Sequence, residues 1–269
     1  MKHAISNIAL RPHTPADMFH QLAGLGLDGL EVAPSRVWAD TWGGLSSADV
    51  EFYRRRVEAA GIEVIGLHSL LFDQRELALF EDHSTRRQLR DFFVHLSAVC
   101  RDLGGRTLIW GGGRKRGTLP VAEACEIAIA FFSEIASKTV EHGTCFCLEP
   151  LAPTDTDFIN SVLEAKEIVD AVNSPSLQIQ IDAKALAANN EMVPETFHAV
   201  AENLVHYHAN EPGFDYLGAS GTVDHAAAGH YLRDIGYDGY VSIEQKMIDP
   251  KNPLAAIEKS VSLLKDAYE

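Results

Sequence analysis

The chain has 269 residues, 46% of them hydrophobic and 23% charged, which is the make-up of an ordinary folded protein and excludes a disordered one. Its formal net charge of −15 repels polyanions, so no nucleic-acid partner is expected. The N-terminus, Met1 to Asn7, lacks a signal-peptide core, and no run approaches the roughly 18 apolar residues that span a bilayer, which predicts a cytoplasmic protein without a membrane partner.

In chain order, one pattern recurs: a helical stretch ends at a glycine and a short β-rich run follows at once. Copies begin at Gly26, Gly61, Gly104 and Gly143, separated by 35, 43 and 39 residues, and again at Gly236, two units further on. Glycine suits the left-handed position that ends a helix, so these are junctions of a repeating βα unit. Strands are predicted near 3–9, 27–32, 62–68, 105–110, 144–149, 177–182, 204–209 and 239–244. Helices are predicted near 15–24, 46–60, 85–103, 119–142, 160–173, 193–202, 224–235 and 253–267. Serines 46 and 47 and the pair Asn252-Pro253 mark helix starts.

Eight such units predict an eight-stranded parallel (β/α)₈ TIM barrel, and no linker or composition shift divides residues 1–269 into more than one domain. A doubly wound sheet would carry a glycine-rich phosphate turn after its first strand, where this chain has Arg11-Pro12-His13-Thr14-Pro15. Cys100, Cys125, Cys145 and Cys147 lack the spacing of a redox pair or thiolate zinc site and are expected to be reduced and buried.

A barrel of this kind places its chemistry at the carboxyl ends of the strands. Those ends carry Glu31, His68, Trp110, Glu149, Asp182, His208 and Glu244. Residues two apart share a face of a strand, so Cys145, Cys147 and Glu149 point one way, as do Gln178, Gln180 and Asp182, His206 and His208, and Ser242 and Glu244. The apolar residues between them suit the layer under the helices, which leaves the polar face inside the barrel. Carboxylates gathered in a dry cavity repel one another unless a cation offsets them. Glu149, Asp182, His208 and Glu244 are therefore expected to hold one divalent metal ion, Mn²⁺ first, with Mg²⁺, Co²⁺ and Zn²⁺ also compatible. Glu31 is expected at the same opening. Trp110, with Trp38 and Trp42, would supply aromatic walls for a sugar ring, and Lys184 a positive charge near a substrate oxygen. Gly111-Gly112-Gly113-Arg114-Lys115-Arg116 is a candidate for binding an anionic substituent, set against a solvated loop.

The stretches Cys147-Leu148-Glu149-Pro150-Leu151, Ile181-Asp182, Tyr207-His208-Ala209-Asn210-Glu211 and Gly236 to Glu244 resemble those of the xylose-isomerase-like sugar isomerase and epimerase superfamily, notably its ketose 3-epimerase and inosose isomerase branches. The similarity spans the whole chain, and separations of 33, 26 and 36 residues between the four proposed ligands are family-like. The resemblance implies that Glu149, Asp182, His208 and Glu244 bind the metal, and that Glu149 and Glu244 exchange a proton with carbon on opposite faces of the substrate. It also implies that His68 contacts a substrate oxygen and that Asp155 stands where the family has a supporting glutamate. The chain departs from the epimerases at Ala185, where they have a histidine, and at Phe214, where they have an arginine.

The chemistry expected of such a site is enolisation beside a carbonyl, giving an isomerase or epimerase acting on a ketose, inosose or related keto-sugar through an enediolate. Loss of a β-hydroxyl from the same intermediate would give a lyase or dehydratase instead. An endonuclease of the same superfamily, which would imply a basic groove, and a non-catalytic sugar-binding barrel are the readings from other classes. The sequence leaves a homo-oligomer open.

Overall fold

The computed structural model describes residues 1–269. Eight strands pair in sequence order, all parallel: β1 (Lys2–Ser6), β2 (Gly29–Val32), β3 (Glu63–Leu67), β4 (Thr107–Trp110), β5 (Cys145–Leu148), β6 (Leu177–Asp182), β7 (Leu204–Ala209) and β8 (Tyr240–Ile243). β8 pairs back onto β1, from Lys2 with Tyr240 to Ile5 with Ile243, and so closes the (β/α)₈ barrel the repeat predicts.

Parallel neighbours require a crossover, and helices provide each one. They are α1 (Ala16–Gly24), α2 (Ser47–Glu58), α3 (His83–Asp102), α4 (Val121–Thr139), α5 (Val162–Val172), α6 (Ala183–Asn189), α7 (Pro194–Val200), α8 (His225–Asp234) and α9 (Pro253–Tyr268). Their starts are written into the chain. Ser46 with Asp49 and Ser161 with Glu164 form capping boxes on α2 and α5, and Asp82 and Asp224 cap α3 and α8. The glycines expected to end helices do so, with φ of 84°, 84°, 86° and 70° at Gly26, Gly61, Gly104 and Gly236.

Two apolar layers follow from strand alternation. The outward layer packs against the helices and includes Phe146, Leu148, Ile179, Ile181, Tyr207, Val241 and Ile243. Inside, Ile109, Cys145 and Cys147 form a small separate cluster. All four cysteines are free, and Cys125, expected to be buried, is only half-buried on α4. No helix is long and apolar enough to cross a membrane.

Several element ends shift by a few residues from the sequence reading, and two differences stand out. β1 stops at Ser6 instead of residue 9, because Asn7–Ala9 turn into a short 3-10 helix with the Asn7 side chain bonded to the Ala33 backbone. α6 was not expected at all. It starts with no intervening turn, the last residue of β6, Asp182, serving as its cap by accepting a hydrogen bond from Ala185 N at 2.7 Å.

Candidate metal centre and its cavity

The side chains gathered at the carboxyl end of the barrel are organised around His208. Its Nε2 lies 2.9 Å from Glu31 Oε2. An ionised carboxylate can only accept, so Nε2 carries the proton and donates. The same Glu31 oxygen accepts from Ser242 Oγ at 2.9 Å, while its other oxygen lies 3.1 Å from His206 Nε2, off the line a hydrogen bond needs, leaving both of those atoms without a partner.

With Nε2 committed, His208 turns Nδ1 toward Glu149 Oε1 at 3.6 Å and Glu244 Oε2 at 3.5 Å. Nδ1 is buried and has no hydrogen-bond partner. Ligand atoms of Glu149, Asp182 and His208 all lie within 4.8 Å of one another. Glu244 borders this trio, held aside by Asn210 Nδ2 at 2.9 Å and facing His68 Nδ1 at 3.4 Å. Asn210 also donates to Asp182 Oδ2 at 2.5 Å, and its own oxygen accepts from Lys184 N at 2.9 Å, so one amide spaces two carboxylates.

The charges confirm how unequal this arrangement is without a cation. Burial, then the neighbouring Glu149 and Glu244, push Asp182 up to about 7. Burial would also raise Glu244, but His208 and His68 overcome it and hold the carboxyl down at about 2. For His208, burial opposes protonation, yet Glu31 and Glu244 lift it well above its ordinary value. Negative charge thus holds a second proton on His208, at the nitrogen that faces the carboxylates. A divalent cation would fit where that proton sits, taking a lone pair from Nδ1 and oxygens from Glu149, Asp182 and Glu244. The carboxylate behind Nε2 is the usual support for a metal-binding imidazole.

The centre opens into a cavity of about 540 Å³, in the range of small-molecule sites. His68, Glu149, Asp182, His208, Glu244, Asp155 and Lys184 all line it. His68 is seated from below by Ser6 Oγ at 2.5 Å. Lys184 Nζ lies 3.6 Å from Asp155 and 4.6 Å from the centroid of the Phe214 ring. Other lining comes from the β3–α3 loop, with Leu70, Leu71, Phe72, Arg75 and Leu77, and from Gly111–Gly113 after β4. Ser69 and Phe214 hold left-handed backbone, φ 51° and 54°, a strain that non-glycine residues adopt mainly where surroundings impose it.

Three expectations need correction. Glu31 does not line the cavity: it is fully buried one layer lower, because its register matches Ser6 and Gly66, two residues short of His68, and it hydrogen-bonds His208 from there. Trp110 borders the cavity, but it pairs with outward-facing Leu148, so its indole packs edge-on against Phe93 and Phe132 in the core. Trp38 and Trp42 likewise pack against Tyr53 and Phe92. The arginines of the 111–116 stretch are not free for an anion. Arg114 is buried, donating to the carbonyls of Trp110, Glu149, Phe158 and Ile159, and Arg116 is tied to Asp157 and Leu119.

The sequence reading gave neither Asn210 nor Gly111 the role it has here. Asn210 lies in a stretch singled out for its resemblance, yet its role depends on two carboxylates from other strands. At Gly111 any Cβ would run into Glu149 Oε2, so the absence of a side chain makes room for that carboxylate.

A model of the xylose isomerase-like TIM barrel family matches residues 19–267. L-ribulose 3-epimerase of Methylomonas sp. (strain DH-1) is 26% identical over 127 residues, 46% of this chain and 44% of that protein, so the chain spans less than half the length of this relative. Among solved structures, D-psicose 3-epimerase with D-tagatose from Clostridium cellulolyticum H10 superposes with a TM-score of 0.84 at 19% identity, over 100% of both chains. The apo form of 3-keto-D-glucoside 4-epimerase from E. coli does so with 0.83 at 18%, over 99% of both. At these identities the structural likenesses speak for the fold alone.

Proposed function

The chain belongs to the xylose isomerase-like TIM barrel family, and on that premise we propose that it is a divalent-metal-dependent isomerase or epimerase moving a proton beside the carbonyl of a ketose, inosose or related keto-sugar, through an enediolate. The observation that carries the reading is His208 Nδ1, buried, unpartnered and aimed into a group of carboxylates at the mouth of the barrel. The L-ribulose, D-psicose and 3-keto-D-glucoside epimerases described above are named for reactions of this kind, which supports the reading.

Bound there, a divalent cation would polarise a ketone and its neighbouring hydroxyl and stabilise negative charge on their oxygens. Glu149, Asp182, His208 and Glu244 would hold it. Glu149 just beyond β5 and Glu244 just beyond β8 approach His208 Nδ1 from two strands, which suits them to take a proton from carbon on one side and return it on the other. Glu244, held at about 2 by His208 and His68 against burial, is ionised at any ordinary pH, the form in which it can bind a cation. His68 and Lys184, both in the cavity lining, would orient substrate oxygens. Burial works against the charge on Lys184, but Asp182 and then Asp155, 3.6 Å away, overcome it and keep the ammonium charged. The expected partner is a small sugar or keto-sugar, without nucleic acid.

The test is proton exchange. Mn²⁺-loaded protein incubated in D₂O with a panel of ketoses and inososes should place deuterium on one carbon adjacent to the carbonyl, seen by NMR. Tight binding and cleavage of abasic DNA, with no exchange into any sugar, would overturn the reading.

A further inference from the structure

Phe214 stands where a glycine would sit with less strain. Its φ of 54° is left-handed, and the backbone is held there from both sides: its N–H donates to the Glu211 carbonyl at 2.9 Å, and its own carbonyl accepts from Lys246 N at 2.9 Å. The loop is anchored by the fully buried Glu211, whose carboxylate accepts from Gly218 N at 2.8 Å and from His225 Nε2 at 3.0 Å. Glycine meets such angles without the clash that a Cβ brings, and Gly213 next to it does so, with φ 71°. A phenylalanine kept in that conformation is the kind of outlier that marks a side chain with a task.

Its ring faces Lys184. Nζ lies 4.6 Å from the ring centroid and 3.6 Å from Asp155, and all three side chains line the cavity. Lys184 follows Asp182 by two residues, on a flexible four-carbon stem whose side chain is only 18% exposed. Burial opposes its charge, while Asp182, then Asp155, Glu244 and Glu149, favour it. Four carboxylates thus attract this ammonium, yet the ion pair it forms is with Asp155 alone. Lodged among the other three, it would offset the same negative charge that a metal ion offsets, and would compete with that ion.

Resting on the metal-dependent reading above, we propose that Phe214 is a positioning residue whose ring holds the Lys184 ammonium beside Asp155 and off the metal-binding carboxylates. A cation is attracted by the negative face of an aromatic ring, and for a largely buried ammonium this is worth about 5- to 30-fold in an equilibrium constant. The apolar bulk of a leucine would fill the same space without that attraction.

Two measurements on the full chain test the proposal, the first without metal. With lysines labelled at Cε, the metal-free parent should show one ε-CH₂ signal moved upfield by a ring current, assigned to Lys184 by its loss in Lys184→Met. Phe214→Leu should return that signal to the range of the other lysines. In calorimetry, Phe214→Leu should weaken Mn²⁺ binding by about 5- to 30-fold, and Phe214→Tyr, which keeps the ring, should restore it to within about twofold of the parent. The loss should vanish in the Lys184→Met background, where there is no ammonium to release. An unshifted Lys184 signal in the parent, unchanged Mn²⁺ affinity in Phe214→Leu, or a loss just as large in the Lys184→Met background overturns the proposal. A shifted signal in a parent that takes up no Mn²⁺ ends the metal-dependent reading instead and leaves the hold of the ring on Lys184 standing.

Discussion

Replacing Glu31 by Gln tests whether the buried carboxylate behind His208 serves the metal centre. The amide keeps an oxygen able to accept from His208 Nε2 and Ser242 Oγ, both now at 2.9 Å, and keeps the volume, so what is lost is the charge. That charge lies one 2.9 Å hydrogen bond and one imidazole ring from Nδ1. A cation bound to Nδ1 would lie about 7 Å from it, where a single and a double charge interact by roughly 1.2 kcal/mol at a dielectric of about 80 and about 5 kcal/mol at an effective value of about 20. This range brackets the 10–100-fold loss of affinity, about 1.4–2.7 kcal/mol, usual for removing the partner behind a metal-binding imidazole. Mn²⁺ binding by calorimetry should therefore weaken by about 10–100-fold. The fold should survive, because without Glu31 the histidines can shed their charge and no ion is stranded in the interior. A folded Glu31→Gln protein that binds Mn²⁺ within twofold of the parent would refute the argument.

Glu149→Gln and Glu244→Gln, each shown by metal analysis to be occupied, should lose about 10²–10⁴-fold in turnover, whereas excess Mn²⁺ should restore part of the activity of Asp182→Asn and His208→Ala. A near-parental rate in either occupied Gln variant would sink the two-base mechanism. Gly111→Ala places a methyl on Glu149 Oε2, the mobile tip of a side chain; it should leave the melting temperature nearly unchanged and cost on the order of 10²-fold in rate through a displaced carboxylate, as steady-state kinetics beside a thermal melt would show. Metal affinity should depend on pH. Asp182 is raised from 3.8 to about 7, so in the metal-free protein the folded state binds the extra proton, and that contribution to stability fades as pH rises through this window. A cation must displace the same proton, so binding should tighten by up to about tenfold per pH unit from 5 to 7, and a flat profile would contradict it.

Strand alternation made much of the site readable in advance. His206 and His208, or Ser242 and Glu244, declare their shared face because the residues between them are apolar, and the barrel puts that face inside. Depth along the barrel axis is not written in one strand. Glu31 ends its strand in sequence, but its level is set by pairing with Ser6 and Gly66 and by the irregularity beside Leu30, which only the closed sheet defines. Trp110 failed for the same kind of reason, since its face is fixed by its partner Leu148. α6 left no signal because Asp182 is at once strand end and helix cap, so no turn residues separate the two elements. Arg114 looked like a surface cation in a glycine-rich loop. What buries it is four carbonyls, two of them at residues 158 and 159, more than forty positions away.

The central claim is that one divalent cation binds at the unpartnered nitrogen of His208. Crystals grown with Mn²⁺ and measured for anomalous scattering test it directly. The account predicts a single strong peak in bonding contact with His208 Nδ1, Glu149 and Asp182, with Glu244 swung in from Asn210 as the fourth ligand. A peak instead between Glu31 and His206, or no bound manganese at saturating concentration, would contradict it.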